Sequence, residues 1–98
     1  MKAIFRPKAR TELLETIAWY EERRAGLGAE FRAEIKARLQ QAIESPGRFR
    51  NLTPDIRVAR LNRFPYFLYF SEMPQRIEVL AIVYAGRDPQ WIRKRLVE

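Results

Sequence analysis

The chain has 98 residues, no cysteine and no histidine, and its 19 Lys and Arg against 12 Asp and Glu give a net charge of +7. That length allows one modest core, hence a single domain over residues 1–98, and a hydrophobic content of 47% points to a folded globule rather than disorder. The missing thiols and imidazoles exclude a disulfide framework, a Cys- or His-ligated metal site and any Ser-His-Asp or Cys-His nucleophile, while the basic balance favours an anionic partner.

In chain order, Ala3 to Arg6 reads as a short strand stopped by Pro7, a residue suited to the first turn of a helix. From Lys8 to Arg24 the helical period places Ala9, Leu13, Ile17 and Tyr20 on one face, with Lys8, Glu12, Glu15, Glu22 and Arg23 opposite. Trp19 falls among the charges, either flanking a second helix or standing exposed as an interface aromatic. Gly26 and Gly28 bracket a tight turn into that second helix, Ala29 to Glu44, whose stripe is Phe31, Ile35, Leu39 and Ala42. Pro46-Gly47 ends it, and Arg48 to Asp55 reads as a loop with a Pro54-Asp55 turn.

Three strands follow, Ile56 to Asn62, Tyr66 to Glu72 and Ile77 to Tyr84, joined by connections of hairpin length. Gly86 breaks the last, and Asp88-Pro89 caps a short helix through Val97, on which Trp91 is expected to close the sheet. The predicted class is α+β, ordered β-α-α-β-β-β with a C-terminal short helix, the helical hairpin packing on one face of a small, largely antiparallel sheet. Residues 67–70 and 79–83 are apolar at consecutive positions, so the second sheet face is covered as well, by the last helix, another subunit or a partner.

The chemistry-bearing residues are mostly arginines. Arg57, Arg60 and Arg63 lead into the Phe64-Pro65-Tyr66 corner, and Arg87 follows the last strand. Guanidinium forks suit phosphate and carboxylate, although strict alternation sets Arg57 and Arg60 on opposite faces unless a bulge or strong twist intervenes. The competing reading is a set of solvated edge charges that discourage aggregation. Tyr66, Tyr69 and Tyr84 are phenols for proton transfer or simply amphipathic core rings. Arg93-Lys94-Arg95 adds basic charge at the end. No carboxylate cluster has metal-ligand character, so neither metal nor cofactor is expected. The longest apolar run, Val79 to Ala85, is too short for a bilayer, and Met1 to Pro7 lacks a signal-peptide core, which sets the expectation of a cytoplasmic protein with no membrane partner.

Nearly the whole chain resembles the bacterial RelE/ParE toxin superfamily: the Phe5-Arg6-Pro7-Lys8-Ala9 opening, Ser45-Pro46, Arg60-Leu61-Asn62-Arg63-Phe64-Pro65-Tyr66, Leu68-Tyr69-Phe70 and Arg87-Asp88-Pro89-Gln90-Trp91. The resemblance implies a type II toxin neutralised by a co-expressed antitoxin, expected on Trp19, Leu68, Phe70 and Val83. The corner and the Arg-Asp-Pro-x-Trp tail lean towards the ParE-like branch, non-enzymatic inhibitors of DNA gyrase, with Arg60, Arg63, Arg87, Arg93 and Lys94 as target-binding or nucleic-acid-binding residues. The alternative is a RelE-like endoribonuclease that cleaves mRNA on the ribosome, with Arg57, Arg60, Tyr84 and Arg87 around the scissile phosphate. A third reading is an inactive relic that keeps antitoxin binding. Tyr84 stands where many relatives carry histidine.

Overall fold

The computed structural model describes residues 1–97 and runs β1 (Lys2–Phe5), α1 (Pro7–Arg23), α2 (Leu27–Glu44), a single 3₁₀ turn (Pro46–Arg48), β2 (Arg50–Thr53), β3 (Ile56–Arg60), β4 (Tyr66–Glu72), β5 (Arg76–Tyr84) and α3 (Pro89–Leu96). The strands form one sheet in the order β1-β5-β4-β3-β2. The meander β2 to β5 is antiparallel, and β1 lies parallel to the first half of β5, pairing Lys2 with Arg76 and Phe5 with Val79. The expected α+β architecture is therefore present. Its one missed strand is β2, within the stretch read as a loop. Arg50-Asn51-Leu52-Thr53 is exposed at every position, so no apolar alternation marks it, and only pairing with β3 makes it a strand.

The helical hairpin covers one face. Ala9 and Leu13 of α1 and Phe31, Ile35, Leu39 and Ala42 of α2 pack with Ala59, Leu68, Phe70, Ile77, Val79 and Ile82 of the sheet. Each fully buried large side chain there contributes roughly 1.5–3 kcal/mol. Two devices hold the hairpin turn. Gly26 takes φ 89°, open to glycine at little cost. The carboxylate of Glu21 on α1 accepts the backbone N–H groups of Gly26 (2.8 Å) and Gly28 (3.0 Å), capping α2 from its neighbour.

The second face belongs to α3. Between Tyr69–Ala81 and Phe70–Val79 the β4–β5 register slips by one residue. This bulge sends Leu80 and Ala81 to the same side, where they join Val58, Tyr69, Val83 and Leu96, with Ile56, Phe67 and Ile92 around them. The last helix is thus what covers the second face. Ile92 and Leu96 close it, whereas Trp91 points elsewhere and stays 38% exposed.

β1 ends at Phe5, and past it a side chain does the work of a neighbouring strand. Glu12 of α1 accepts the N–H of Ile82 (3.0 Å), and both its oxygens receive Arg95 of α3 at 2.9 Å. Arg95 also donates to the Leu80 carbonyl at 3.2 Å. One ion pair therefore joins both layers to the bulged strand.

Candidate functional site

At one end of the sheet the Phe64-Pro65-Tyr66 corner docks on the end of β5. Tyr66 pairs with Tyr84, and the N–H of Ala85 donates to the Pro65 carbonyl at 2.8 Å. Rings gather there because the hairpin supplies Tyr20 and Phe31: Tyr20 lies 4.8 Å from Phe64, Phe31 5.4 Å from Tyr66, and Tyr66 5.9 Å from Tyr84 between centroids. Burial, reinforced by the neighbouring Tyr66 and Tyr84, pushes the Tyr20 phenol above its ordinary pKa. Tyr84 is the open end of this cluster, 50% exposed.

Beside Tyr84 is a shallow groove of about 150 Å³, bounded by Glu12, Glu15, Tyr66, Arg87 and Trp91. The guanidinium of Arg87 lies 4.4 Å from the Trp91 ring centroid, a cation–π contact across the start of α3. Asp88 caps that helix by accepting the Gln90 N–H at 3.0 Å. The groove offers aromatic surface, one stacked cation and two carboxylates. With Glu12 already neutralised by Arg95, the lining sets one stacked cation against Glu15, a balance that suits a protein side chain better than a phosphodiester.

Of the four residues considered for phosphate chemistry, only Tyr84 and Arg87 share a groove. β3 carries no bulge between Arg57 and Arg60, whose partners are Phe70 and Phe67 in unbroken register. Arg57 therefore turns to the hairpin side, where it donates to the Phe49 carbonyl (2.8 Å) and Asn51 Oδ1 (3.1 Å) and lies 3.9 Å from Glu72. Arg60 is exposed on the α3 side, and Tyr84 belongs to the hairpin side. Arg63 is occupied too. It pairs with Glu30, while Glu34 accepts the backbone N–H groups of Asn62 and Arg63. The hydrogen bond from Arg63, aided by Arg24 and opposed by desolvation, holds the Glu30 carboxyl below the usual range. Arg93 and Lys94 are exposed on α3.

Among the residues expected to meet a partner, Trp19 is 48% exposed, with the Arg23 guanidinium 3.5 Å from its ring centroid. Leu68, Phe70 and Val83 are placed otherwise. Leu68 and Phe70 are wholly buried under the hairpin, and Val83 lies beneath α3. Consecutive apolar residues on a strand look like surplus surface in a sequence, but here each face has its own cover.

Sequence reasoning passed over Arg50 and Phe67 as site residues, and both stand on the α3 side with the candidates Arg60 and Tyr69. Arg50, Arg60, Phe67 and Tyr69 share that face of the sheet, with Phe67 and Tyr69 rings 6.2 Å apart. Burial raises the Tyr69 phenol pKa, partly offset by the charge of Arg50. The available signal was the parity of Arg50 with Val58, usable only once β2 is known to pair with β3. Among the described residues no His, Cys, Asp or Glu cluster is placed to hold a metal ion, and no helix is long and apolar enough to cross a membrane.

This sheet-and-hairpin arrangement is that of known bacterial toxins. Two solved structures overlay on it: the chromosomal ParDE toxin–antitoxin system from P. aeruginosa (TM-score 0.73, 19% identity, covering 88% of this chain and 97% of that one) and the isolated E. coli RelE toxin (TM-score 0.65, 20% identity, covering 94% and 92%). No curated protein sequence matches the chain. Residues 3–89 match the model of the ParE toxin of type II toxin–antitoxin systems, parDE, and the chain belongs to that family.

Proposed function

We propose that the chain is a cytoplasmic growth-arresting toxin that inhibits DNA gyrase by binding it, without catalysing a reaction, and is held inactive by a cognate antitoxin. The observation that carries this reading is the ParE family match over residues 3–89. The scattering of Arg57, Arg60 and Tyr84 over two faces supports it, because in-line phosphodiester cleavage needs several groups converging within hydrogen-bond reach of one phosphate. Arg60, Arg87, Arg93 and Lys94 are then docking residues on the α3 side and its edge, with Arg63 shaping the corner from its anchor on Glu30. The test is supercoiling of relaxed plasmid by purified gyrase, with detergent trapping of cleaved DNA. Inhibition with accumulation of linear plasmid is expected; unimpaired supercoiling at high molar excess would refute the gyrase reading.

Ribosome-dependent RNA cleavage is the second reading, favoured by Arg50 and Arg60 sharing a sheet face with Phe67 and Tyr69. It is weaker, since Tyr69 is only 4% exposed and its phenol is held away from any RNA on the surface. Loss of mRNA cleavage in folded Arg60→Ala and Arg87→Ala variants would support it.

A further inference from the structure

Three guanidinium groups converge on Phe49. This residue follows the 3₁₀ turn after α2, and its buried ring packs on Phe70 with the centroids 5.6 Å apart. Arg38 of α2 stands with Cζ 5.1 Å from the Phe49 ring centroid, and Arg48 of the turn at 5.9 Å. Arg57 reaches across from β3 and donates from Nη1 to the Phe49 carbonyl at 2.8 Å. Three segments of the chain thus bring positive charge to one place, against the repulsion between them.

That charge is poorly matched. Glu72 lies 3.9 Å from Arg57 Nε, beyond hydrogen-bond reach, and neither Arg38 nor Arg48 forms an ion pair with a described residue. Arg38 gives one N–H to the Gln41 amide oxygen at 2.7 Å. Its Nε is buried with no hydrogen-bond partner, the only buried side-chain nitrogen or oxygen so left among the described residues. Arg50, Arg60 and Arg93 also lack side-chain partners, but none of them is in cation–π range of a ring or holds an unsatisfied buried donor. A ring takes up the flat face of a guanidinium and leaves its edge of N–H donors for an acceptor. It also orients the group before a partner arrives, which lowers the ordering cost of binding.

We infer that Arg38, Arg48 and Arg57 form a binding site for the phosphate backbone of duplex DNA. Guanidinium forks match phosphate oxygens, and cations spread over three segments fit a repeating anion better than a single carboxylate. Contact with the backbone alone carries no sequence preference. Arg57 also borders a cavity of about 380 Å³ with Asp55 and Glu72, so it marks the edge of the basic site. The site is on the hairpin side of the sheet, opposite Arg60, Arg93 and Lys94, so one molecule can meet protein on one face and DNA on the other. The choice of DNA rests on the gyrase reading above, which sets the toxin beside a duplex.

The experiment measures binding of a fluorescent duplex of arbitrary sequence to the full chain across a salt series. R38Q/R48Q is compared with R32Q/K36Q, which removes equal charge elsewhere. Arg32 and Lys36, with Arg10, border a separate groove that opens between the helices towards β1, away from their close contact at Gly28. Both variants keep Arg57 and its hydrogen bonds, and thermal melts check that each is folded. R48Q alone, at an exposed position, repeats the comparison with R32Q. R38Q/R48Q is expected to weaken binding about ten-fold at low salt and to lower the salt slope by about two, while R32Q/K36Q stays within roughly three-fold of wild type. Equal losses in the two double variants would reduce the effect to overall charge and overturn the site. Unaffected binding by R38Q/R48Q, or no binding of duplex by the wild-type chain, would overturn it as well. Competition by inorganic phosphate at matched ionic strength would mark a free-anion pocket instead. Tighter binding of single-stranded RNA, with the same loss in R38Q/R48Q, would overturn the choice of DNA. The measurement contains no gyrase, so a failed supercoiling test with duplex binding intact refutes the gyrase reading and leaves the site standing.

Discussion

Glu12 illustrates how far a residue's role departs from its helical position. By period it belongs to the charged face of α1, and sequence reasoning assigned it to solvent. Its carboxylate instead terminates the exposed edge of β5 at Ile82 and holds Arg95, with side chains only 20% and 10% exposed. Glu12→Gln keeps an acceptor for the Ile82 N–H but removes the charge that Arg95 faces. The expected loss is about 1–3 kcal/mol in urea unfolding, the range for hydrogen bonds to charged groups. A loss below ~0.5 kcal/mol would class the pair with exposed surface bridges. Arg57 makes the converse point. Its side-chain direction followed from strand alternation alone, and the unbroken β3–β4 register leaves that direction unchanged.

Among the elements, the hairpin was the most legible and β2 the least. The stripes of α1 and α2 recur at 3.6 residues because one flank of each is buried along its length, so the period survives in sequence. The pinch at Gly28 is a tertiary fact that a glycine only hints at. Gly28→Ala forces a methyl against the Ile17 carbonyl oxygen and the Glu21 carboxylate. Overpacking of this kind costs ~1–3 kcal/mol, against a helix-propensity gain of about 1 kcal/mol, so net destabilisation is expected in thermal or urea melts. A stabilised variant would mean that the helices lie farther apart. β2 had no such signal: four exposed residues joined to β3 through a two-residue turn at Pro54-Asp55.

For the whole molecule, charge sets the pH response. Hydrogen bonds from Arg63 and Arg76 lead the lowering of the Glu30 and Glu78 pKa values. A lowered carboxylate contributes stability above its unfolded pKa and loses it as pH falls through the folded one, so weakening is expected below about pH 4. Burial raises Tyr20 and Tyr69, and a raised phenol contributes fully below its unfolded pKa and loses that contribution as pH rises through the folded value. Weakening is therefore also expected above about pH 10. With no histidine or cysteine in the chain, Tm between these limits should be nearly flat. A melting series across pH checks this, and a sharp step near neutrality would contradict it.

The sequence by itself determined the class of fold, the helical hairpin, three of the four meander strands and the toxin superfamily. Those follow from local periodicity, turn residues and motif order, which are properties of neighbours along the chain. The tertiary structure decided what covers each sheet face, because the fate of Leu68, Phe70 and Val83 depends on α1, α2 and α3 arriving from distant positions. It also decided which cations are engaged and which stand free. Arg63 and Arg95 look like Arg10 and Arg32 in sequence, but two meet a carboxylate brought to them by another helix and two border an open groove. Charge pairing is settled by distance in space, and that only the folded chain defines.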